Sequence, residues 1–199
     1  KSRMHNPFKE EEKNKINIFI NLALEFNKTH NIFSRKEHDE VYKKDILDCE
    51  PLIKRIKNNT KILDLGSGGG FPGILLAITK PKSQISLIES SSKKCFFLRS
   101  VADKLALKNT TIINKKIEPN NNIGVFDIIT ARAFASIDKI TKLTKTNRNK
   151  DTEYLLLKGK NKTIQEELTD IDKNLYLYEI IKLDTKTHER NMVLIKNNE

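Results

Sequence analysis

Between residues 9 and 26, apolar side chains recur at Ile16, Phe19, Ile20, Ala23 and Leu24, the i, i+3, i+4, i+7, i+8 stripe of a helix that buries one face. A second helical stretch spans residues 36–56. Pro51 has no amide proton to donate, so this stretch is predicted to break there into two short helices. Residues 1–58 therefore read as an N-terminal helical cap. From Lys61 the period changes. Short apolar runs at 62–65, 84–89, 110–114 and 126–130 read as strands, with a helix at 92–107, which is the alternation of a doubly wound parallel sheet. Further strands are predicted at 154–158, 175–183 and 191–196, with a helix at 162–171. The last two strands are joined only by residues 184–190, too short for a helical crossover, so they are expected to pair antiparallel. Residues 59–199 thus form one predicted α/β domain, Rossmann-like, with a seven-stranded, mostly parallel sheet and an antiparallel C-terminal hairpin. The Asn-rich stretches 120–122 and 147–151 read as surface loops.

A chain of 199 residues suits one such domain with a modest extension. No apolar run approaches the roughly 20 residues of a membrane helix, and Lys1-Ser2-Arg3-Met4-His5 does not resemble a secretory signal, so a soluble, cytoplasmic protein is expected. Cys49 and Cys95 are far apart, and His5, His30, His38 and His188 never fall at zinc-ligand spacing. Reduced thiols, no metal and a monomer are expected. The formal charge of +11 could draw the protein to a polyanion. Stretches such as Lys54-Arg55-Ile56-Lys57-Asn58-Asn59 also follow from an AT-rich coding sequence, and charge alone leaves nucleic acid undecided.

The chemistry is concentrated in Asp64-Leu65-Gly66-Ser67-Gly68-Gly69-Gly70, directly after the first predicted strand. A nucleoside cofactor needs the chain to turn sharply there, approach the ligand with bare backbone and start a helix whose amides face it. Two frames overlap. Asp64-x-Gly66-x-Gly68-x-Gly70 is the form used for S-adenosylmethionine, whereas Gly68, Gly70 and Gly73 satisfy the dinucleotide pattern. The strand runs straight into Gly66, and Pro72 suits a first helical turn, placing the helix start near Phe71; both favour the first frame. Glu89, at the end of the second strand, is placed to accept hydrogen bonds from both ribose hydroxyls, a contact that would serve NAD as well.

DLGSGGGFPGILLA at residues 64–77, RAFAS at 132–136 and LKG at 157–159, in that order, resemble the bacterial ribosomal RNA small subunit methyltransferase G family, formerly called glucose-inhibited division protein B. The likeness spans nearly the whole chain. It implies a class I S-adenosylmethionine-dependent methyltransferase fold. The implied activity is methyl transfer to N7 of a guanine in the 530 loop of 16S rRNA (guanine 527), on rRNA or a small ribosomal subunit precursor. Carried over to matching positions, cofactor contacts fall on Gly66, Phe71, Ile117, Glu118 and Arg132, beside Asp64, Gly68, Gly70 and Glu89 from the turn and second strand. Lys93, Lys116, Arg132, Lys158 and Arg190 are the implied substrate-positioning residues, contacting phosphate or guanine. Asp45 departs from the family pattern, standing before Ile46-Leu47-Asp48 where a His is usual, and Asn31-Ile32-Phe33 departs from the usual Asn-Leu-Thr. Guanine N7 is an unprotonated lone pair, so no general base is assigned. A methyltransferase acting on a small molecule or another RNA, an NAD-dependent oxidoreductase and a non-catalytic ribosome-assembly factor are the competing readings.

Overall fold

The structure is a computed structural model describing residues 7–184 and 188–198. The N-terminal pentapeptide with His5, and residues 185–187 of the link before the last strand, lie outside the described residues. Helix α1 (Glu10–His30) opens with three glutamates, which favour a helix N-terminus, and stops at Asn31 in the left-handed conformation. Ile16, Phe19, Ile20 and Ala23 are its buried stripe.

The second helical stretch does not break at Pro51. It comprises α2 (His38–Val41), a π-helical turn (Tyr42–Ile46) and α3 (Leu47–Arg55), and Pro51 lies inside α3. The irregularity falls upstream, where the Leu47 N–H reaches back five residues to the Tyr42 carbonyl. Proline in a helix costs about 3 kcal/mol. Burial of Cys49, Leu52 and Ile53 on the same helix outweighs this, at about 1.5–3 kcal/mol for each large apolar side chain.

Seven strands form one sheet in the order β3-β2-β1-β4-β5-β7-β6: β1 (Lys61–Leu65), β2 (Gln84–Glu89), β3 (Thr110–Asn114), β4 (Ile128–Arg132), β5 (Glu153–Lys158), β6 (Tyr176–Lys182) and β7 (Asn191–Asn197). β1 to β5 pair parallel, and β7 runs antiparallel to both β5 and β6, as expected of the hairpin. The connecting helices are α4 (Gly73–Thr79), α5 (Ser92–Lys104), α6 (Ile137–Leu143) and α7 (Asn161–Leu168). Along β5 the side chains alternate between two cores. Leu155 and Leu157 join Phe19, Leu52, Leu75 and Phe97 under the cap, α4 and α5; Tyr154 and Leu156 join Leu63, Ile129 and Ile164 under α6 and α7. The cap thus shares a core with the sheet.

Strand β4 begins two residues later than the run at 126–130 suggests. Phe126 donates its N–H to the Asn147 carbonyl, and the Asp127 carboxylate accepts the Lys61 N–H, so both residues serve the entry to the sheet. A two-residue shift leaves each side chain on its face and carries the strand on to Arg132. Chain order reverses between β1 and β4, and ligands in such sheets bind in the crevice beyond the strand ends at that point.

Candidate active site

At the end of β1 the amides of Gly66 and Ser67 both donate to the Ile88 carbonyl, and the Gly70 N–H closes a tight turn on Ser67 O at 2.7 Å. Gly66, Gly68 and Gly70 all have positive φ. The helix starts at Gly73, two residues later than Pro72 suggests, so the turn runs through Phe71 and Pro72. Asp64 is fully buried beneath it, and its Oδ2 accepts the Gly73 N–H at 3.0 Å. Oδ1 accepts no hydrogen bond among the described residues, and burial pushes the carboxyl pKa up to about 7. This aspartate holds turn and helix together.

Beyond the turn lies a cavity of about 370 Å³, within the range of small-molecule sites. Gly66 and Glu89 line it, and Ile88, Ile117 and Leu143 give it apolar surface. Glu89 is 8% exposed; Oε2 accepts the Gly68 N–H at 3.0 Å and Oε1 the Ser91 N–H at 2.8 Å. A carboxylate has about four acceptor positions. The backbone uses two and the Ser90 hydroxyl takes a third at 3.4 Å, which leaves one acceptor for a diol and a second once that hydroxyl turns away.

Of the nine positions expected to contact cofactor, Gly66, Glu89 and Ile117 line this cavity. Gly68 acts through Glu89, while Asp64 and Gly70 support the turn from behind. Phe71 faces the cap, its ring 5.0 Å from Phe19 and 6.5 Å from Phe33, centroid to centroid. The Glu118 side chain is exposed outside the cavity. Ala133, Phe134, Ala135 and Lys139 line it without having been singled out as contacts. Phe134 matters most. A Cβ on Gly66 would stand 2.4 Å from its ring, and it follows Ala133, whose φ of 50° is unusual for a residue with a side chain. RAFAS drew attention to this segment, but sequence does not reveal which of its side chains turns inward.

Arg132 reaches the cap. Its guanidinium pairs with Asp45 at 2.8 Å and Asp48 at 3.6 Å and lies 5.2 Å above the Phe71 ring. Arg35 pairs with Asp45 at 3.0 Å, and Arg190 with Asp48 at 3.2 Å. Two nearly buried carboxylates are thus balanced by three arginines, and the cluster latches cap to sheet. Removing one member of a buried pair costs about 3–5 kcal/mol, less where the partner keeps some solvent and a second carboxylate. Asp45→Asn is therefore expected to lower stability by about 1–3 kcal/mol. Thermal unfolding checks this, and a midpoint equal to wild type would show that the latch carries no weight.

Lys158 ends β5 and is largely enclosed, donating to Ala135 O at 2.6 Å and Glu167 Oε2 at 2.7 Å. Lys93 and Lys116 are exposed, as are Lys115 and Lys139, and none of the four makes an ion pair among the described residues. Lys115, Lys116 and Lys139 border the cavity. A second cavity of about 350 Å³ lies next to the first, sharing Ala133, Phe134 and Ala135 with it and lined further by Leu157, Lys158 and Glu167. Among the described residues no helix is long and apolar enough to cross a membrane, and no group of three or more His, Cys, Asp or Glu could hold a metal ion.

Residues 12–194 match the family described as rRNA small subunit methyltransferase G. Similar relatives bearing the name ribosomal RNA small subunit methyltransferase G include one from Brachyspira hyodysenteriae, 36% identical over 188 residues, covering 94% of this chain and 91% of the relative. Another, from Chromobacterium violaceum, is 32% identical and covers 88% and 86%. Among solved structures, a precorrin-6y C5,15-methyltransferase from Geobacter metallireducens aligns with a TM-score of 0.61 at 12% identity, over 86% of this chain and 92% of that one. That likeness identifies the class I methyltransferase fold. The family match spans both the glycine turn and the strand ends that build the two cavities, and the chain belongs to the rRNA small subunit methyltransferase G family of enzymes.

Proposed function

We propose that this chain transfers a methyl group from S-adenosylmethionine to N7 of a guanine in the 530 loop of 16S rRNA, guanine 527, and releases S-adenosylhomocysteine. It acts as a cytoplasmic monomer on 16S rRNA or a small ribosomal subunit precursor. The observation that carries the reading is the first cavity. Glu89 offers its open acceptor to the ribose, Gly66 lines the cavity without a side chain, and Ile88, Ile117 and Leu143 suit a flat purine. When bound, the cofactor supplies a methyl on a sulfonium. The lone pair of N7 forms the new N–C bond as the C–S bond breaks toward sulfur, and no proton moves. The protein is therefore asked to orient its reactants, which is worth several orders of magnitude in rate. Lys93, Lys115, Lys116 and Lys139, without an ion pair among the described residues, supply ammonium groups for RNA phosphates, whereas Arg132 and Arg190 contribute to substrate by fixing the cap over the strand ends.

Incubation with 30S particles and methyl-labelled cofactor, followed by mapping of methylated nucleotides, is the test. Label at one guanine N7 in the 530 loop is expected, and label elsewhere in the RNA overturns the assignment. Glu89→Gln replaces one acceptor oxygen with a donor that faces either a backbone N–H or a ribose hydroxyl. Cofactor affinity by calorimetry should fall about 10- to 100-fold, the loss of a charge-assisted hydrogen bond; undiminished affinity would take Glu89 out of the site.

A further inference from the structure

The second cavity has a polar end that the turn and cofactor contacts leave unused. Glu167 on α7 places Oε2 between the Ile137 N–H at 2.9 Å and the Lys158 ammonium at 2.7 Å, and both of its hydrogen bonds fall on that oxygen. Oε1 carries none. Lys158 spends two of its three protons, on Glu167 and on Ala135 O, and keeps one. The pair is largely withdrawn from water, with side chains 11% and 18% exposed, and it lines the cavity beside Leu157 and Ile164. A fixed acceptor therefore stands next to a fixed donor in a slot that Leu157, Ile164, Lys160, Thr163 and Arg190 also line, and that shares the Ala133–Phe134–Ala135 wall with the first cavity.

We propose that Glu167 and Lys158 form the guanine-reading end of the acceptor site: Glu167 Oε1 accepts N1–H and the third Lys158 proton is donated to O6. This rests on the guanine-N7 reading above and specifies how the base is chosen. On a guanine, N1–H, O6 and N7 follow one another along one edge. On the protein, Glu167, Lys158 and the Ala135 wall follow one another in the same order, joined by the two Lys158 hydrogen bonds. A base held at N1 and O6 by the pair turns N7 toward the Ala133–Phe134–Ala135 segment, where the second cavity adjoins the first and N7 can meet the methyl in line. Phe134 in that wall offers its ring to the base. Adenine presents an acceptor at N1 and a donor at its 6-amino group, opposing both partners. A site built around buried polar groups rejects a base that leaves them unpaired far more strongly than an apolar pocket rejects one by shape. The 2-amino group is not read, because Oε2 is already occupied.

The test uses 30S particles reconstituted with rRNA carrying guanine, inosine or 2-aminopurine at the target, with the full-length enzyme. Inosine keeps N1–H and O6 and should be methylated within about tenfold of guanine; 2-aminopurine lacks both and should fall about 100-fold or more. Glu167→Gln can donate to the bare N1 of 2-aminopurine. It should lose about 30-fold on guanine while its guanine to 2-aminopurine ratio shrinks at least tenfold, with cofactor affinity near wild type and a melting point lowered by no more than about 10 °C. An unchanged ratio in this variant, a wild type that labels 2-aminopurine as well as guanine, or a severe loss on inosine would each overturn the inference and leave the guanine-N7 reading standing. A wild-type enzyme that binds cofactor and labels no guanine would overturn that reading itself.

Discussion

Gly66→Ala is expected to keep the fold and lower kcat/KM for RNA methylation by about 100-fold. The added Cβ would stand 2.4 Å from Phe134 Cδ2 and 3.0 Å from Cε2, closer than atoms pack, so the ring has to leave its seat on the turn. Phe134 is the shared wall of the two cavities, and a displacement of about 1 Å in a wall that aligns two reactants costs rate on this scale. The φ of +61° adds about 1–2 kcal/mol of backbone strain, which the domain can absorb. Turnover with labelled cofactor, set beside a melting curve, is the measurement. Wild-type kcat/KM would show that Phe134 moves freely and that its position does not matter to the reaction.

Gly73→Ala should instead damage the fold. A Cβ there would lie 2.5 Å from Asp64 Oδ2 and 2.5 Å from Leu87 Cδ2, both fully buried, so neither neighbour can swing into solvent. Overpacking costs about 1–3 kcal/mol, and a weakened Gly73 N–H bond to a buried carboxylate about as much again. Alanine returns about 1 kcal/mol of helix propensity. The balance is about 1–5 kcal/mol, centred near 3, or a melting point lower by about 5–15 °C in a domain of this size. A melting point within about 2 °C of wild type would mean that β1 and α4 separate easily, contrary to the packing beneath the turn.

The strands were legible because the central strands, buried on both faces, write continuous apolar runs and the more exposed edge strands β3 and β6 still carry β-branched and aromatic residues, and six of the seven observed strands differ from the predicted runs by no more than one residue at either end. Strand β4 slipped because Phe126 is as apolar as any strand residue, while its amide and the Asp127 carboxylate are committed to Asn147 and Lys61, partners no local pattern names. Helix α6 left too short a stripe, Ile137 and Ile140, to be read as a helix. In the site, the glycines and Glu89 could be read because backbone geometry and strand-end position dictate them. The two phenylalanines could not be told apart. Phe71 adjoins the turn in sequence but leaves it toward Phe19 and Phe33, whereas Phe134 arrives from β4 and covers Gly66. The partners of Arg132 were equally hidden, since Asp45 and Asp48 come from the cap on the far side of the sequence, and their meeting with a β4 residue is a product of the fold.

Strand β7 follows β6 in the chain but lies between β5 and β6, so β6 has no partner in the sheet until β7 has been made. During synthesis, β1 to β5 can pair as they emerge, while the β5 edge, with Leu155 and Leu157 on one face, stays open and adhesive. Closure waits for Val193, Leu194 and Ile195, which bring both neighbours together at once. Because β5 ends in Lys158 and β7 is preceded by Arg190, the same late event completes the polar end of the second cavity. A growing chain therefore has the strands that frame the first cavity well before it has all the residues that line the second.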